Sequence, residues 1–288
     1  MTSTPSPRGL RGLRDPVVVA AFGGWNDAAS AATDLVEHVQ EQTEARFVFS
    51  LDPDDYYDFQ VNRPTVTGLA PDERRITWPG VSFHVGGLPT DGGQPERDLV
   101  LITGPEPNLR WRSWCASVVS GILSAEASRV ILLGALLADT PHTRPVPVSG
   151  TATDLRVAEQ LGLELSTYEG PTGIVGVLGD ACAAAGLEVV TLWAAVPHYV
   201  AQPPCPKATL ALLSRVEDLL DRTLDQGELP ELARAWERGV DEMASDDADV
   251  ARYVSTLEEQ TDAAELPEAS GEAIAAEFER YLRRRSGE

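Results

Sequence analysis

Cysteine is scarce in this sequence, and its positions exclude several kinds of site. Among the 288 residues there are three cysteines, Cys115, Cys182 and Cys205. An odd number of thiols without a CxxC pair provides neither a disulfide framework nor the ligand spacing of a zinc site. We therefore expect reduced thiols, a cytoplasmic location and no bound metal.

Long apolar runs and positive charge are also lacking. No uninterrupted apolar stretch approaches the length that spans a bilayer, and residues 1–14 hold arginines and prolines rather than the apolar core of a signal peptide. The net charge is -22 at pH 7, and a nucleic-acid backbone or an anionic membrane would repel such a chain. We therefore expect a flexible N-terminal segment over residues 1–14, and no nucleic-acid or membrane partner.

The sequence contains no complete catalytic or cofactor-binding motif. The pair Gly23 and Gly24 precedes a predicted helix, but it lacks the three glycines of a dinucleotide fingerprint and the Lys-Ser/Thr of a P-loop. No serine nucleophile elbow occurs, and Cys205 has no base beside it in the sequence, although His142 or His198 could supply one in space. We therefore predict no cofactor and no catalytic residue, which favours a non-enzymatic role.

Residues 17–29 are the most informative stretch that is present. An apolar, β-branched run leads through the glycine pair to Asn26 and Asp27, and apolar residues then recur at helical spacing. A continuous apolar strand suits a parallel sheet that is covered by helices on both faces. Glycine permits a sharp turn after the strand, and Asn26 or Asp27 can cap the helix. This stretch predicts the first strand-helix unit of an α/β domain.

The alternation of strand and helix continues along the chain. Four further apolar strands are predicted, at 45–51, 98–103, 129–133 and 187–196. A Pro/Gly-rich insertion, residues 61–98, is expected to add short antiparallel strands at a sheet edge. We predict a three-layer α/β/α sandwich with a mainly parallel sheet over residues 15–224. An acidic helical appendage, residues 225–288, follows it; it carries nearly half of the net charge and ends in a predicted amphipathic helix at 271–285.

Polar side chains follow four of the predicted strands at the point where each strand ends. They are Asn26, Asp27, Glu106, Arg110, Asp139, His142, Arg144, His198 and Tyr199. Because the carboxyl ends of parallel strands share one edge of a sheet, these residues form a candidate crevice. Arg144 could clamp an anion there, with His142 or His198 as acid or base. The structural alternative is that the same side chains cap turns and form salt bridges.

Residues 52–59 combine four aspartates with three aromatic residues. The segment predicts either a solvated loop anchored by its rings or a site for a metal or a partner, although its spacing is not that of a calcium loop. Tyr56, Tyr57 and Phe59 are candidates for exposed aromatic side chains, which would favour self-association.

Five motifs occur in order along the chain. They are F-G-G-W-N-D-A at 22–28, G-P-E-P at 104–107, L-A-D-T-P-H-T-R-P-V-P at 137–147, G-P-T-G-I at 170–174 and W-A-A-V-P-H-Y-V at 193–200. Together they resemble the proteasome assembly chaperone 2 family, and within it the actinobacterial branch. The resemblance implies a fold similar to nucleoside phosphorylases and related hydrolases, and a homo-oligomer such as a trimer.

The resemblance also implies a link to proteasome subunits. Eukaryotic members of the family assist assembly of the proteasome α ring, and some archaeal relatives act on the proteasome core through a C-terminal hydrophobic-tyrosine-X tail. Gly287 stands where such a tail needs tyrosine, so a chaperone role is expected to use the sandwich surface or the acidic helices. The alternative function is phosphorylase-like or hydrolase-like catalysis, or binding of a small anion, in the crevice.

Overall fold

The computed structural model describes residues 7–70, 72–88 and 96–265. The strands in this part of the chain are β1 (Val17–Gly23), β2 (Arg46–Ser50), β3 (Thr65–Thr67), β4 (Arg75–Thr77), β5 (Ser82–Leu88), β6 (Arg97–Pro105), β7 (Arg129–Ala138), β8 (Val148–Ala152), β9 (Glu164–Leu165) and β10 (Glu188–Pro197). The α-helices are α1 (Ala31–Gln42), α2 (Trp111–Ser124), α3 (Leu155–Leu161), α4 (Ile174–Ala184), α5 (Pro206–Leu220), α6 (Leu229–Ser245) and α7 (Ala248–Glu265). No described helix combines the length and the apolar character needed to cross a membrane.

Eight of the strands form one sheet, in the order β2-β5-β6-β1-β7-β10-β8-β9. β1 pairs in parallel with β6 on one side and with β7 on the other, and β10 pairs in parallel with β7. β5 and β8 run antiparallel to the strands beside them at the sheet centre, while β3 and β4 pair separately. The sheet therefore has a parallel centre, as the continuous apolar strands predict.

Alternate residues of β1 enter two different cores. Val17 and Val19 pack on the side of α1 and α5, whereas Val18 and Phe22 pack on the side of α2 and α4. Because helices cover both faces of the strand, none of these side chains reaches solvent, and every position must be apolar. Helices on both faces of a mainly parallel sheet confirm the predicted α/β/α class.

The Pro/Gly-rich insertion enters the sheet instead of adding to its edge, contrary to the prediction. β5 lies between β6 and β2, so that β2 is the edge strand. Phe83 of β5 accounts for this position, since its buried ring stacks on Phe49 of β2 with centroids 4.3 Å apart. β8 was also not predicted, because its residues Val-Ser-Gly-Thr-Ala carry little strand pattern.

Tyr56 and Tyr57 are buried, which corrects the expectation that they lie on the surface. Tyr57 is 3% exposed, and its hydroxyl donates to Pro105 O at 2.9 Å. The Tyr56 hydroxyl lies 3.2 Å from Ser117 Oγ on α2. Both rings thus fill the core on the α2 side while each hydroxyl keeps a polar partner. The acidic segment is therefore a turn anchored by its rings.

The first described residues pack against the sheet. The 3-10 turn Pro7–Leu10 places Leu10, which is fully buried, in the core on the α2 side. Arg14 then donates from Nη2 to Asp98 Oδ1 at 2.7 Å. Residues 7–14 of the segment expected to be flexible are thus held by one apolar and one charged contact. Residues 1–6, the predicted helix at 271–285 and the C-terminal tail lie outside the described residues.

Candidate functional site

Asp27 organises the turn between β1 and α1. Its Oδ1 accepts a hydrogen bond from the Ala32 N–H at 2.7 Å, and its Oδ2 accepts from the Thr33 N–H at 3.3 Å and from the Thr33 hydroxyl. Burial of the carboxyl raises its pKa. Because these bonds satisfy amides of the first helical turn, Asp27 has the capping role that the sequence offers as the structural alternative.

Asn26 lies where β1, β7 and α4 meet. Its carbonyl accepts from the Ala135 N–H at 2.8 Å, which holds the turn against β7. Its side chain is 1% exposed and faces Gly173, where an added Cβ would lie 2.0 Å from Asn26 Oδ1. Within the described residues, neither Oδ1 nor Nδ2 of Asn26 has a hydrogen-bond partner. The close approach of the two segments therefore requires glycine at position 173.

Glu106 reaches the N-terminus of α4 from the end of β6. Its Oε1 accepts from the Ile174 N–H at 3.1 Å. The N-cap residue Gly173 has no side chain for this purpose, so Glu106 supplies a carboxylate to the positive end of the helix dipole. Arg110 does not join this contact; it pairs with Asp55 at 2.5 Å in a bridge whose two side chains are more than half exposed.

His142 is the most completely enclosed of the candidate residues. It is 1% exposed, and the Tyr199 hydroxyl accepts from its backbone N–H at 2.8 Å and lies 2.7 Å from its ring Nδ1. Its Nε2 lies 3.0 Å from Asp241 Oδ1 on α6. The Tyr199 hydroxyl and the Asp241 carboxylate thus engage both ring nitrogens of His142. Burial raises the pKa of Tyr199 to about 12, so the phenol stays protonated near neutral pH.

The residues beside His142 are held by carboxylates of the two C-terminal helices. Arg144 donates from Nε and Nη2 to the two oxygens of Asp262 at 2.7 and 2.8 Å. Its Nη1 lies 3.4 Å from Glu258 Oε1. The Lys207 ammonium donates to the His142 carbonyl and to Glu237 of α6. The Arg144 guanidinium lowers the pKa of Asp262.

Asp139 connects the end of β7 to α7 and to the end of β10. Its Oδ1 accepts from the Tyr253 hydroxyl at 3.0 Å and lies 3.2 Å from His198 Nδ1. The His198 ring stands edge-on to the rings of Tyr199 and Tyr253, with centroids 5.8 and 5.4 Å apart. The loops after β7 and β10 therefore face one another, as expected for neighbouring parallel strands.

The structure brings five of the nine candidate residues together and separates the rest. Those at the shared position are Asp139, His142, Arg144, His198 and Tyr199. Asn26, Asp27 and Glu106 lie instead at the starts of α1 and α4, and Arg110 lies in a bridge of its own.

Sequence reasoning missed the partners that α6 and α7 contribute to this position. They are Glu237, Asp241, Tyr253, Glu258 and Asp262. The only signal was the excess of acidic residues in these helices, which is equally typical of a solvated helix face. Which of those carboxylates turn inward depends on how the helices dock.

The thiols and carboxylates provide little for catalysis or metal binding in the part of the chain that the structure describes. Burial raises the pKa of Cys115 to about 11 and that of Cys182 to about 12, and it also raises the pKa of Cys205. A thiol with a raised pKa is a poor nucleophile near neutral pH because it stays protonated. No group of three or more His, Cys, Asp or Glu side chains could hold a metal ion among the described residues.

Known proteins match the chain over most of its length. A model of the PAC2 family matches residues 21–244. A PAC2 family protein from Streptomyces avermitilis is 55% identical, with a TM-score of 0.77 over 83% of this chain and 100% of that chain. A proteasome-assembly chaperone homologue from Mycobacterium tuberculosis is 49% identical, with a TM-score of 0.73 over 83% of this chain and 99% of that chain. No curated protein matches.

A more distant likeness extends to the archaea. An archaeal proteasome activator from Pyrococcus furiosus is 17% identical, with a TM-score of 0.63 over 81% of this chain and 94% of that chain. At this identity the likeness concerns the fold alone. The family model matches residues 21–244, and the Streptomyces protein is 55% identical over 83% of this chain. The chain therefore belongs to the PAC2 family.

Proposed function

We propose that this protein is a non-catalytic binding protein that acts in proteasome assembly in the cytoplasm. The observation that carries the proposal is the exposure of Trp25, whose side chain is 83% accessible. Tryptophan is the residue type most enriched among those that dominate binding energy at protein interfaces. A tryptophan this exposed, on a turn held at both ends, is typical of a protein-binding surface.

The turn that carries Trp25 is rigid. The Asn26 carbonyl accepts from Ala135 of β7, and Asp27 is bonded to the first turn of α1. Beyond this point β7 continues with Leu136 and Leu137, which are 44% and 49% exposed. A turn whose backbone is already held loses little conformational entropy on binding, and this favours a preformed protein-binding surface.

The polar crevice supports a binding role better than a catalytic one. The His142 ring is enclosed and engaged by Tyr199 and Asp241, and the Arg144 guanidinium faces carboxylates of α7. An anion clamp or an acid-base pair would need these groups turned toward a substrate. The proposed link to the proteasome rests on the relative from Mycobacterium tuberculosis, which is 49% identical and is a proteasome-assembly chaperone homologue.

Co-purification with proteasome α and β subunits tests the proposal. We expect the tagged wild-type chain to recover the subunits, and Trp25→Ser to reduce recovery at least about tenfold, as loss of an interface hot spot does. Trp78→Ser is the matched control, since Trp78 is also exposed but lies after β4. Failure of the wild-type chain to recover subunits would refute the proposal, and a thermal shift with nucleosides, phosphate or nucleotides would then favour the enzymatic alternative.

Self-association is part of the same proposal, with a trimer as the expected state. Between Leu136 and Ala138, β7 pairs with β10 on one side, while its pairing with β1 ends at Leu133. An open strand edge with exposed leucines is a common site of contact between copies. Light scattering across micromolar concentrations should show a defined oligomer, and a monomer throughout would contradict it.

A further inference from the structure

Helix α7 lies outside the residues that the family model matches. The family model ends at residue 244, before α7 begins at Ala248. Nevertheless α7 covers the ends of β7 and β10 through Tyr253, Glu258 and Asp262. The residues that it contacts, Asp139, Thr143, Arg144, His198 and Tyr199, are called here the α7-binding surface. This surface is therefore made by residues that the family model matches and is covered by a helix that follows the matched range.

The contacts between α7 and this surface are polar and lie near solvent. Asp262, Glu258 and Tyr253 hydrogen-bond to Arg144, Thr143 and Asp139, and the side chains of Asp262 and Asp139 are 52% and 78% exposed. The buried apolar residues of α7, Val254 and Leu257, belong to neither of the two hydrophobic cores of the domain. Release of α7 would thus leave both cores intact.

The charges on the two sides are complementary. Arg144 is a cation in a chain with a net charge of -22, and it faces Glu258 and Asp262 of α7. Tyr253 adds an aromatic contact against His198 and Tyr199. A surface of this kind selects a helix that carries a tyrosine and carboxylates, because each contact is a specific hydrogen bond or ring pair.

We propose that the α7-binding surface is an interaction site for an acidic, tyrosine-bearing helix of a partner protein, and that α7 occupies it as an intramolecular competitor. The partner displaces α7 and makes the same contacts to Asp139, Thr143 and Arg144. Because α7 is tethered, its high effective concentration lowers the apparent affinity for the partner, and weakening α7 restores it. The proposal is independent of whether the partner is a proteasome subunit.

A helix-stabilised peptide with the sequence of residues 248–265 is the probe. It is titrated against the full chain, against the double variant Glu258→Gln/Asp262→Asn, and against the control Asp249→Asn/Glu259→Gln, which removes the same charge from α7 away from the surface. We expect the peptide to bind the first double variant at least about tenfold more tightly than it binds the full chain or the control. Adding Arg144→Gln to the first double variant should abolish this binding.

Hydrogen exchange on the same proteins provides a second measurement. Amides of α7 should exchange faster in Glu258→Gln/Asp262→Asn than in the control, with exchange in α2 unchanged. Equal peptide binding to all four proteins, or no binding to any of them, would overturn the proposal. It would also be overturned if α7 exchanged equally slowly in the first double variant and in the control.

Discussion

The guanidinium of Arg144 forms a bidentate hydrogen bond with the carboxylate of Asp262, from Nε to Oδ1 at 2.7 Å and from Nη2 to Oδ2 at 2.8 Å. The two residues are 118 positions apart in the sequence. Their contact joins the loop after β7 to α7, so it links the predicted crevice to a helix that the family model does not include. A planar fork of this kind cannot be reproduced by lysine.

Arg144→Lys is expected to loosen α7 without unfolding the domain. The pair is partly exposed, so its loss should increase the rate of proteolysis within α7 only about two- to fivefold. Arg252→Lys is the control, because the Arg252 side chain is 76% exposed and pairs with Asp249 inside α7. Equal proteolysis rates in the two variants would show that the bidentate contact does not hold α7.

Asp27→Ala is expected to destabilise the domain by about 1–3 kcal/mol, because it leaves the buried Ala32 N–H without its acceptor. Urea unfolding measures the loss. Asp52→Ala removes a comparable cap from an exposed 3-10 turn and should cost less than about 0.5 kcal/mol. A similar loss in both variants would contradict the role assigned to burial at Asp27.

Gly173→Ala and Gly239→Ala should change stability in opposite directions. The first places a methyl group 2.0 Å from Asn26 Oδ1, and such overpacking typically costs about 1–3 kcal/mol. The second adds a methyl group in α6 where no atom lies within 4 Å, and alanine in a helix is favoured by about 0.5–1 kcal/mol. Thermal unfolding measures both, and a stable Gly173→Ala protein would show that Asn26 can move away.

Asp34→Asn is expected to stabilise the protein in a pH-dependent way. Burial, together with the charges of Asp27 and Glu37, raises the pKa of Asp34 to about 6, compared with about 3.9 for an exposed aspartate. The folded state therefore holds this proton more tightly than the unfolded state, and stability falls as pH rises between these two values. Above pH 6 the variant should gain at most about 1 kcal/mol, after allowance for solvent screening at a half-buried site.

Urea unfolding at about pH 4 and about pH 7.5 tests this dependence. The difference between Asp34→Asn and the wild type should be larger at the higher pH than at the lower one, where the carboxyl is protonated in the folded state and about half protonated in the unfolded state. Asp180→Asn is the control, because it removes a carboxyl from the exposed side of α4. A pH-independent gain in Asp34→Asn would contradict the raised pKa.

The sequence predicts the sheet centre well because the signal there is local. Every position of β1 is apolar since both of its faces are covered, and the same holds for the buried part of β7. The insertion was misplaced because β5 contains two glycines and a weak apolar pattern, so that its place between β6 and β2 depends on contacts with distant residues, such as the stacking of Phe83 on Phe49. Tyr56 and Tyr57 were misread for a related reason, since their acidic neighbours suggested exposure while their rings fill the core.

The candidate site, like the fold, was predicted from the sequence only in part. The sequence alone determined the strands and helices of the parallel sheet centre, the polar residues at strand ends and the family motifs, because each depends on residues that are neighbours in the sequence. Only the tertiary structure decided that Asp241, 99 positions from His142, and Asp262, 118 positions from Arg144, would meet them. No local pattern encodes such contacts, because they depend on the docking of α6 and α7 onto the domain, which selects the few acidic side chains that face the loop after β7.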